Sequence, residues 1–340
     1  KIKKIITFLH FLIMALFAAI SDGNYDRIKE FTNNKVEWQS LVTFEDSDKM
    51  NALHHACKKG ETKIAKLIIS KLPEGFDVNS QETSQGYTPL ILSLYSQDDG
   101  GPEIVEALLE KGADPNIQDF KGDSAIHHAA ANNHGDVFEL LLKVKNARIN
   151  LVNKDGETPL HVAIRESQMW SFQLLMKSKA DLNVKNKKGQ GLMHYASIGI
   201  GNAVHYITYL QKEGLSVNEK DNLGQTSLLA ALRSGKNKDH RVIQTLLKLG
   251  ADPNIADNEG VSPYSMLYGN KKPGETGKSQ SENKSAIHQE ESKNDDASKP
   301  RSEKLSKLVM FAYFIVPLVV IILAKVFEKH LKPQHGRGGQ

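Results

Sequence analysis

The side chains with the most obvious chemical potential are histidines. His54, His55 and Cys57 fall within four positions in "HHAC", and a second pair, His127 and His128, stands in "AIHHAA". Two imidazoles and a thiolate are zinc ligands, but a zinc site needs a convergent set of four donors, or three and a water. No phosphate-cradling glycine loop with its Lys and Ser/Thr occurs, and no nucleophile-elbow or kinase signature. Cys57 is the only cysteine, so no intrachain disulfide is possible. A lone thiol fits a reducing compartment without excluding export. Its apolar surroundings predict a core residue. The sequence therefore predicts no catalytic residue, no metal, no cofactor and no small-molecule substrate. A net charge of +4 over 340 residues lacks the basic excess of a dedicated nucleic-acid binder.

The histidines make more sense as positions in a lattice. Residues 155–164 read "DGETPLHVAI". Asp155-Gly156 is a turn signal, Thr158 suits a helix N-cap, and Pro159 suits the first helical position. Leu160, Ala163 and Ile164 then share one helical face. The turn glycine recurs as Gly86, Gly122, Gly156, Gly189, Gly224 and Gly260, at intervals of 36, 34, 33, 35 and 36, with Lys49 in the equivalent place one unit earlier. A second ruler agrees: Asn79, Asn116, Asn150, Asn183, Asn218 and Asn254 are spaced 37, 34, 33, 35 and 36. A period near 33 residues indicates a solenoid whose units cannot bury their apolar faces alone.

On these motifs the chain resembles the ankyrin-repeat proteins. "GETPLHVAI" (156–164), "GYTPLILSL" (86–94), "GDSAIHHAA" (122–130) and "GQTSLLAAL" (224–232) match the family's first helix. "IVEALLEKGADPN" (104–116) and "VIQTLLKLGADPN" (242–254) match its second helix and the loop that follows. The resemblance covers residues 46–269. It implies an all-α solenoid of helix-turn-helix units with β-hairpin or loop tips, read as six units (46–80, 81–118, 119–152, 153–185, 186–220 and 221–256) and a truncated seventh at 257–269. The sequence supports this independently: Ile104, Val105, Leu108 and Leu109 form one stripe, and Gly112 and Gly250 sit where a left-handed C-cap is wanted. Two departures stand out. Gly191 is read in the place of the helix-start proline, and Ser167 in that of the inter-helix glycine. His54, His127, His161 and His194 occupy one slot, where the family uses the ring in hydrogen bonds between adjacent turns.

The two ends differ from the middle. Residues 1–23 begin with three lysines and an apolar run from Ile5 to Ile20, which resembles a secretory signal or an uncleaved anchor. The stretch 16–31 also fits half a repeat, so this segment is expected to merge into an N-terminal capping repeat over 24–45. Residues 270–306 are too polar to offset chain entropy, and predict a disordered linker. Leu308–Ala324 carries no charge; seventeen helical residues rise about 26 Å, close to a hydrocarbon core of about 30 Å. With its flanking lysines it predicts a transmembrane helix over 307–325, followed by a basic tail, 326–340. Membrane localisation is the expectation, and the side holding the repeats stays open.

What remains is a surface. Outside the lattice, the inner helices carry His55, Lys58, Lys59, Tyr95, His128, Asn132, Arg165, Tyr195 and Arg233. The tips carry Phe120, Lys121, Lys154, Lys187, Lys188, Lys220 and Leu223. The resemblance puts both sets on the concave side, where such proteins hold partners. Tyr, Arg and exposed Phe are hot-spot types, and lysines steer an acidic partner. The expected function is a membrane-tethered scaffold that binds another protein non-covalently. The alternative is a secreted, host-directed effector of an intracellular bacterium, and a third reading is an ankyrin-bearing enzyme, for which the flanks are short.

Overall fold

The computed structural model describes residues 2–95, 101–132, 135–199, 201–235 and 240–268. The expected linker, transmembrane helix and basic tail (270–306, 307–325 and 326–340) lie outside the described residues. Among the described residues no helix is long and apolar enough to cross a membrane.

The array opens with three helices, α1 (Ile2–Ser21), α2 (Tyr25–Asn33) and α3 (Lys35–Val42). Six helix pairs follow: α4 (Ala52–Lys59) with α5 (Thr62–Ser70), α6 (Pro89–Ser93) with α7 (Gly101–Glu110), and α8 (Ala125–Ala131) with α9 (Gly135–Lys143). Then come α10 (Pro159–Arg165) with α11 (Met169–Lys177), α12 (Leu192–Ile198) with α13 (Ala203–Lys212), and α14 (Ser227–Ser234) with α15 (His240–Lys248). A last inner helix, α16 (Pro263–Tyr268), packs on α14. Inner helices stack on inner helices and outer on outer. A single apolar core runs between the layers from Ile13 to Ala251. The tips are turns rather than β-hairpins; the described residues contain one isolated β-bridge, Gln118 to Ser124.

Each inner helix starts for a local reason. Thr88, Thr158 and Thr226 cap their helices through the hydroxyl, and proline at the first helical position follows the first two. The apolar spacing then buries Leu90, Ile126, Leu160, Met193 and Leu228 in the core. In the outer helix α7, Ile104, Val105 and Leu108 are buried and Leu109 is half-buried. Gly112 and Gly250 adopt left-handed φ of 88° and 89°, which closes their helices at little steric cost. Among the described residues, three non-glycine residues have positive φ: Lys49, Ser167 and Lys179 (57°, 57° and 59°). Lys49 replaces a tip glycine, Ser167 an inter-helix glycine and Lys179 a C-cap glycine, so the backbone conformation persists where the residue type does not.

One sequence reading needs correction. Gly191 does not stand in the proline place. It is the N-cap of α12, and Leu192 takes the first helical position. The histidine slot sets the register, because His194 Nε2 reaches the Gln225 carbonyl at 3.0 Å as His54 Nε2 reaches Ser80 and His127 Nε2 reaches Glu157. Cys57 is fully buried, and burial pushes its thiol pKa up, so the thiolate is suppressed. Ile13, Leu16, Ala19 and Ile20 are buried against the array, and α1 packs on α2, α3 and α4. Trp38 of α3 ties the opening helices to the first pair by donating to the Lys71 carbonyl at 2.7 Å.

Candidate binding surface

The tips carry the exposed lysines, and their backbones are joined. Thr83 N donates to Asp48 O, Phe120 N to Gln85 O, Lys154 N to Lys121 O, Lys187 N to Asp155 O, Asn222 N to Lys188 O and Asn258 N to Leu223 O, all at 2.8–3.0 Å. Seven successive tips thus form one continuous row. Close approach enforces glycine at the turn: a Cβ at Gly122 would lie 2.6 Å from Lys154 N, and one at Gly156 2.8 Å from Lys187 N. Each tip is folded around one acidic or amide side chain. Asp119 Oδ1 accepts from Lys121 N and Asp123 N, Asn186 Oδ1 from Lys188 N and Gln190 N, and Asp221 Oδ1 from Leu223 N and Gln225 N.

The other end of that side chain positions the inner-helix residue nine places later. Asp46 Oδ2 meets His55 Nε2 at 2.8 Å, Asp119 Oδ2 meets His128 Nε2 at 2.9 Å, and Asn186 Nδ2 donates to the Tyr195 hydroxyl at 2.8 Å. These anchors escaped the sequence reading. Their signal is a third ruler, Asp46, Glu82, Asp119, Asn153, Asn186, Asp221 and Asp257, with the same period as the glycines.

Two clusters build on the anchors. In the first, the Tyr95 hydroxyl donates to His128 Nδ1 at 2.6 Å while the other ring nitrogen faces Asp119. Tyr87 stacks on Tyr95 and meets His128 edge-on. His128 was expected as a free groove residue; it is buried, because Tyr95 from the preceding unit covers it. Burial opposes ionisation of Asp119, but His128 and two backbone N–H groups hold its pKa below the ordinary value. Burial raises that of Tyr95. In the second cluster, Glu157 accepts from the Tyr195 hydroxyl at 2.6 Å, from Asn153 at 3.1 Å and from Arg165. Burial works against this carboxylate too, yet Tyr195 and Arg165 outweigh it and keep the pKa low. Arg165 also pairs with Glu166, and Arg233 pairs with Asp257 and Glu259.

The remaining expected residues face water. Lys58 and Lys59 are exposed in the last turn of α4, and Asn132 is the half-buried C-cap of α8. Tyr95, Phe120 and Leu223 are exposed. Lys220 is turned back onto the Ala256 carbonyl. Lys121, Lys154, Lys187 and Lys188 are exposed and form no ion pair among the described residues. Among the described residues no three His, Cys, Asp or Glu side chains converge on a metal position. A cavity of about 420 Å³ opens between α11 and α13, lined by residues including Met169, Phe172, Val204 and Tyr209. His205, Thr208 and Lys212 also line it, and its lining contains no carboxylate.

The family model for ankyrin repeats matches in three copies, over residues 16–119, 95–186 and 170–257. Human Rabankyrin-5 is 24% identical over 69% of this chain and 22% of its own length. The E3 ubiquitin-protein ligase KEG of Arabidopsis thaliana is 26% identical over 64% of this chain and 14% of its own. The ANK repeat-containing protein nipk-1 of Caenorhabditis elegans is 32% identical over 41% and 26%. The chain thus spans about a quarter or less of these relatives' lengths. Among solved structures, the human ASB11 ankyrin repeat domain has a TM-score of 0.58 at 24% identity, covering 70% of this chain and 98% of that one. The Bcl-3 ankyrin repeat domain has a TM-score of 0.55 at 23% identity, covering 68% and 97%. With a family model matched across residues 16–257 and a six-pair helical stack on the same period, this chain belongs to the ankyrin repeat family.

Proposed function

We propose that the array is a protein-interaction scaffold that holds an acidic segment of a partner along its inner-helix face, which we take as concave. The observation that supports this most is the row of joined tips, presenting exposed, unpaired Lys121, Lys154, Lys187 and Lys188 beside exposed Phe120 and Tyr95. A lysine already committed to a carboxylate gains little from a partner's; these four are uncommitted. The residues behind them are fixed by the anchor hydrogen bonds, so little ordering entropy is lost on binding.

The proposal extends to location: the segment 308–324 tethers the scaffold to a membrane, which raises its effective concentration for partners on the same bilayer. Two measurements test the halves separately. Replacing Lys121, Lys187 and Lys188 by Glu should reduce the partner set co-purified with the full chain by at least tenfold in abundance and leave the melting midpoint in place. Unchanged capture would remove the basic tips from the function. Deleting 308–324 should move the chain from the membrane pellet to the supernatant, and persistence in the pellet would refute that tether.

A further inference from the structure

The lysines of the tip row have an apolar residue at each end. Along the backbone bonds that join successive tips, Phe120 and Lys121 are followed by Lys154 and Asp155, then by Lys187 and Lys188, then by Leu223. All of these side chains are exposed, Phe120 by 52% and Leu223 by 61%. The tip before this stretch offers Gln85 and the tip after it Glu259, so the basic stretch ends on both sides. The tips stand on stacked helix pairs, and stacked helices lie about 8–10 Å apart. Three steps from Phe120 to Leu223 therefore cover roughly 25–30 Å, with a lysine at each of the first three tips.

That repeat narrows the occupant. A polyproline II segment has three residues per turn and rises about 9.3 Å in each turn. Its side chains at i, i+3 and i+6 thus face one way, at the spacing of the tips. A β-strand alternates faces at every residue, so it turns the middle one of those three away. An α-helix needs close to twenty residues to cover the same length, and its girth of about 10–12 Å is wide for a file one or two side chains across. The amides of Lys154, Lys187 and Asn222 are already spent on the preceding tips, so the row cannot take on a strand by backbone pairing. Polyproline II asks for no such pairing, because its backbone stays solvated. Charge decides between a peptide and a nucleic acid. A nucleic-acid strand carries a phosphate at every nucleotide, and Asp155, in the middle of the row, would repel one. A peptide can leave that place uncharged.

We propose that the tip row recognises an extended peptide segment of about ten residues in polyproline II conformation, acidic at every third position opposite Lys121, Lys154 and the Lys187–Lys188 pair, with a large apolar residue at each end to meet Phe120 and Leu223. The proposal rests on the scaffold reading above. That reading supplies an acidic partner, and the tip geometry adds its conformation and register.

Fluorescence anisotropy with the full chain tests this. Two labelled peptides share one composition: three glutamates, a tryptophan at one end, a leucine at the other, and proline and glutamine between. One spaces the glutamates at every third position, and the other places them side by side. A longer alanine-based helix with glutamate at every seventh position and a single-stranded oligothymidylate complete the set. The spaced peptide should bind at least tenfold tighter than the other three. Lys187→Glu with Lys188→Glu should weaken it at least tenfold, and Leu223→Ser, which alters an exposed side chain, several-fold. Equal binding of the clustered peptide would show that the row reads charge without register. Tighter binding of the helix or the oligothymidylate would give the row to another occupant, and either result overturns the proposal. If no peptide binds while the glutamate variant still loses its co-purified partners, the register is overturned and the scaffold reading stands. If no peptide binds and capture is also unchanged, both are refuted.

Discussion

At the scale of single residues, the histidine slot shows how a small departure leaves a measurable defect. Nδ1 of His54, His127 and His161 each accepts the backbone N–H of its own N-cap residue, at 3.3, 3.2 and 3.2 Å, and each lies 2.9 Å from the cap's side-chain oxygen. In the fifth unit the cap is Gly191, and His194 Nδ1 is buried with no partner. A buried unsatisfied acceptor costs about 1–3 kcal/mol. Gly191 has an ordinary extended backbone (φ −89°, ψ −178°), and an added Cβ would meet nothing closer than Glu219 Oε2 at 3.5 Å. Gly191→Thr is therefore expected to stabilise the array by about 1 kcal/mol, from the restored cap and from reduced freedom of the unfolded chain. Gly191→Ala supplies the second gain without the hydroxyl. Urea unfolding of the three chains tests this: a Thr variant no more stable than the Ala variant would mean that Nδ1 does not need the bond. The register was legible in the sequence: Gly191 lies two residues after Gly189 and three before His194, as Thr158 lies two after Gly156 and three before His161, which makes it the N-cap and Leu192 the counterpart of Pro159.

At the scale of the element, the helices were legible wherever their residues act through local rules. Turn glycine, cap threonine, helix-start proline and apolar stripe all operate within about a dozen residues, so the six inner helices could be placed from sequence. Leu160 illustrates this: it was read as core and is fully buried in α10. Leu160→Ala should cost about 2–5 kcal/mol by chemical denaturation, and a shift near zero would contradict its packing. What sequence did not reveal were contacts between units. The burial of His128 depends on Tyr95, 33 positions earlier, and the Tyr195 hydroxyl reaches Glu157, 38 positions earlier. The outer helix α11 shows a second limit. Lys179, just past its C-cap Ser178, was not singled out, yet it holds φ of 59° in the place of the glycines that close α7 and α15. A side chain in that conformation costs about 1 kcal/mol. Lys179→Gly is thus expected to raise stability by roughly that amount, whereas Lys179→Ala should gain nothing, and equal midpoints for the two would remove the strain argument.

At the scale of the whole molecule, the histidines form a ladder that couples the array to pH. His54 and His161 have pKa values pushed down from 6.5 to about 4, burial being the chief cause, and His127 is lowered for the same reason. The hydrogen bonds explain why the neutral form is required: in His54 and His127 Nε2–H is spent on the Ser80 and Glu157 carbonyls, so Nδ1 must remain an acceptor for the cap N–H. A proton added at Nδ1 would set donor against donor. Because the folded values lie below the unfolded one, the unfolded chain binds more protons between pH 6.5 and 4. Stability is fully present above pH 6.5 and falls as the pH drops toward 4. Glu82, burial opposing its ionisation but its bonds to Ser84, Tyr87 and Gln85 prevailing, has a pKa of about 2, so its share is present above 4.5 and is lost toward 2. The two losses are therefore separated in pH. Ile91 and Leu229 occupy the same slot as the histidines in other units, which makes His161→Leu a substitution the lattice already tolerates. In a solenoid each unit's loss is passed to its neighbours through their shared interface. The leucine variant should thus unfold at nearly the same midpoint as the parent at pH 5 but at a lower one at pH 7.5, where the parent keeps its cap bond. A midpoint difference independent of pH across that interval would show that His161 is not titrating on unfolding, and the ladder would lose its role as the source of acid sensitivity.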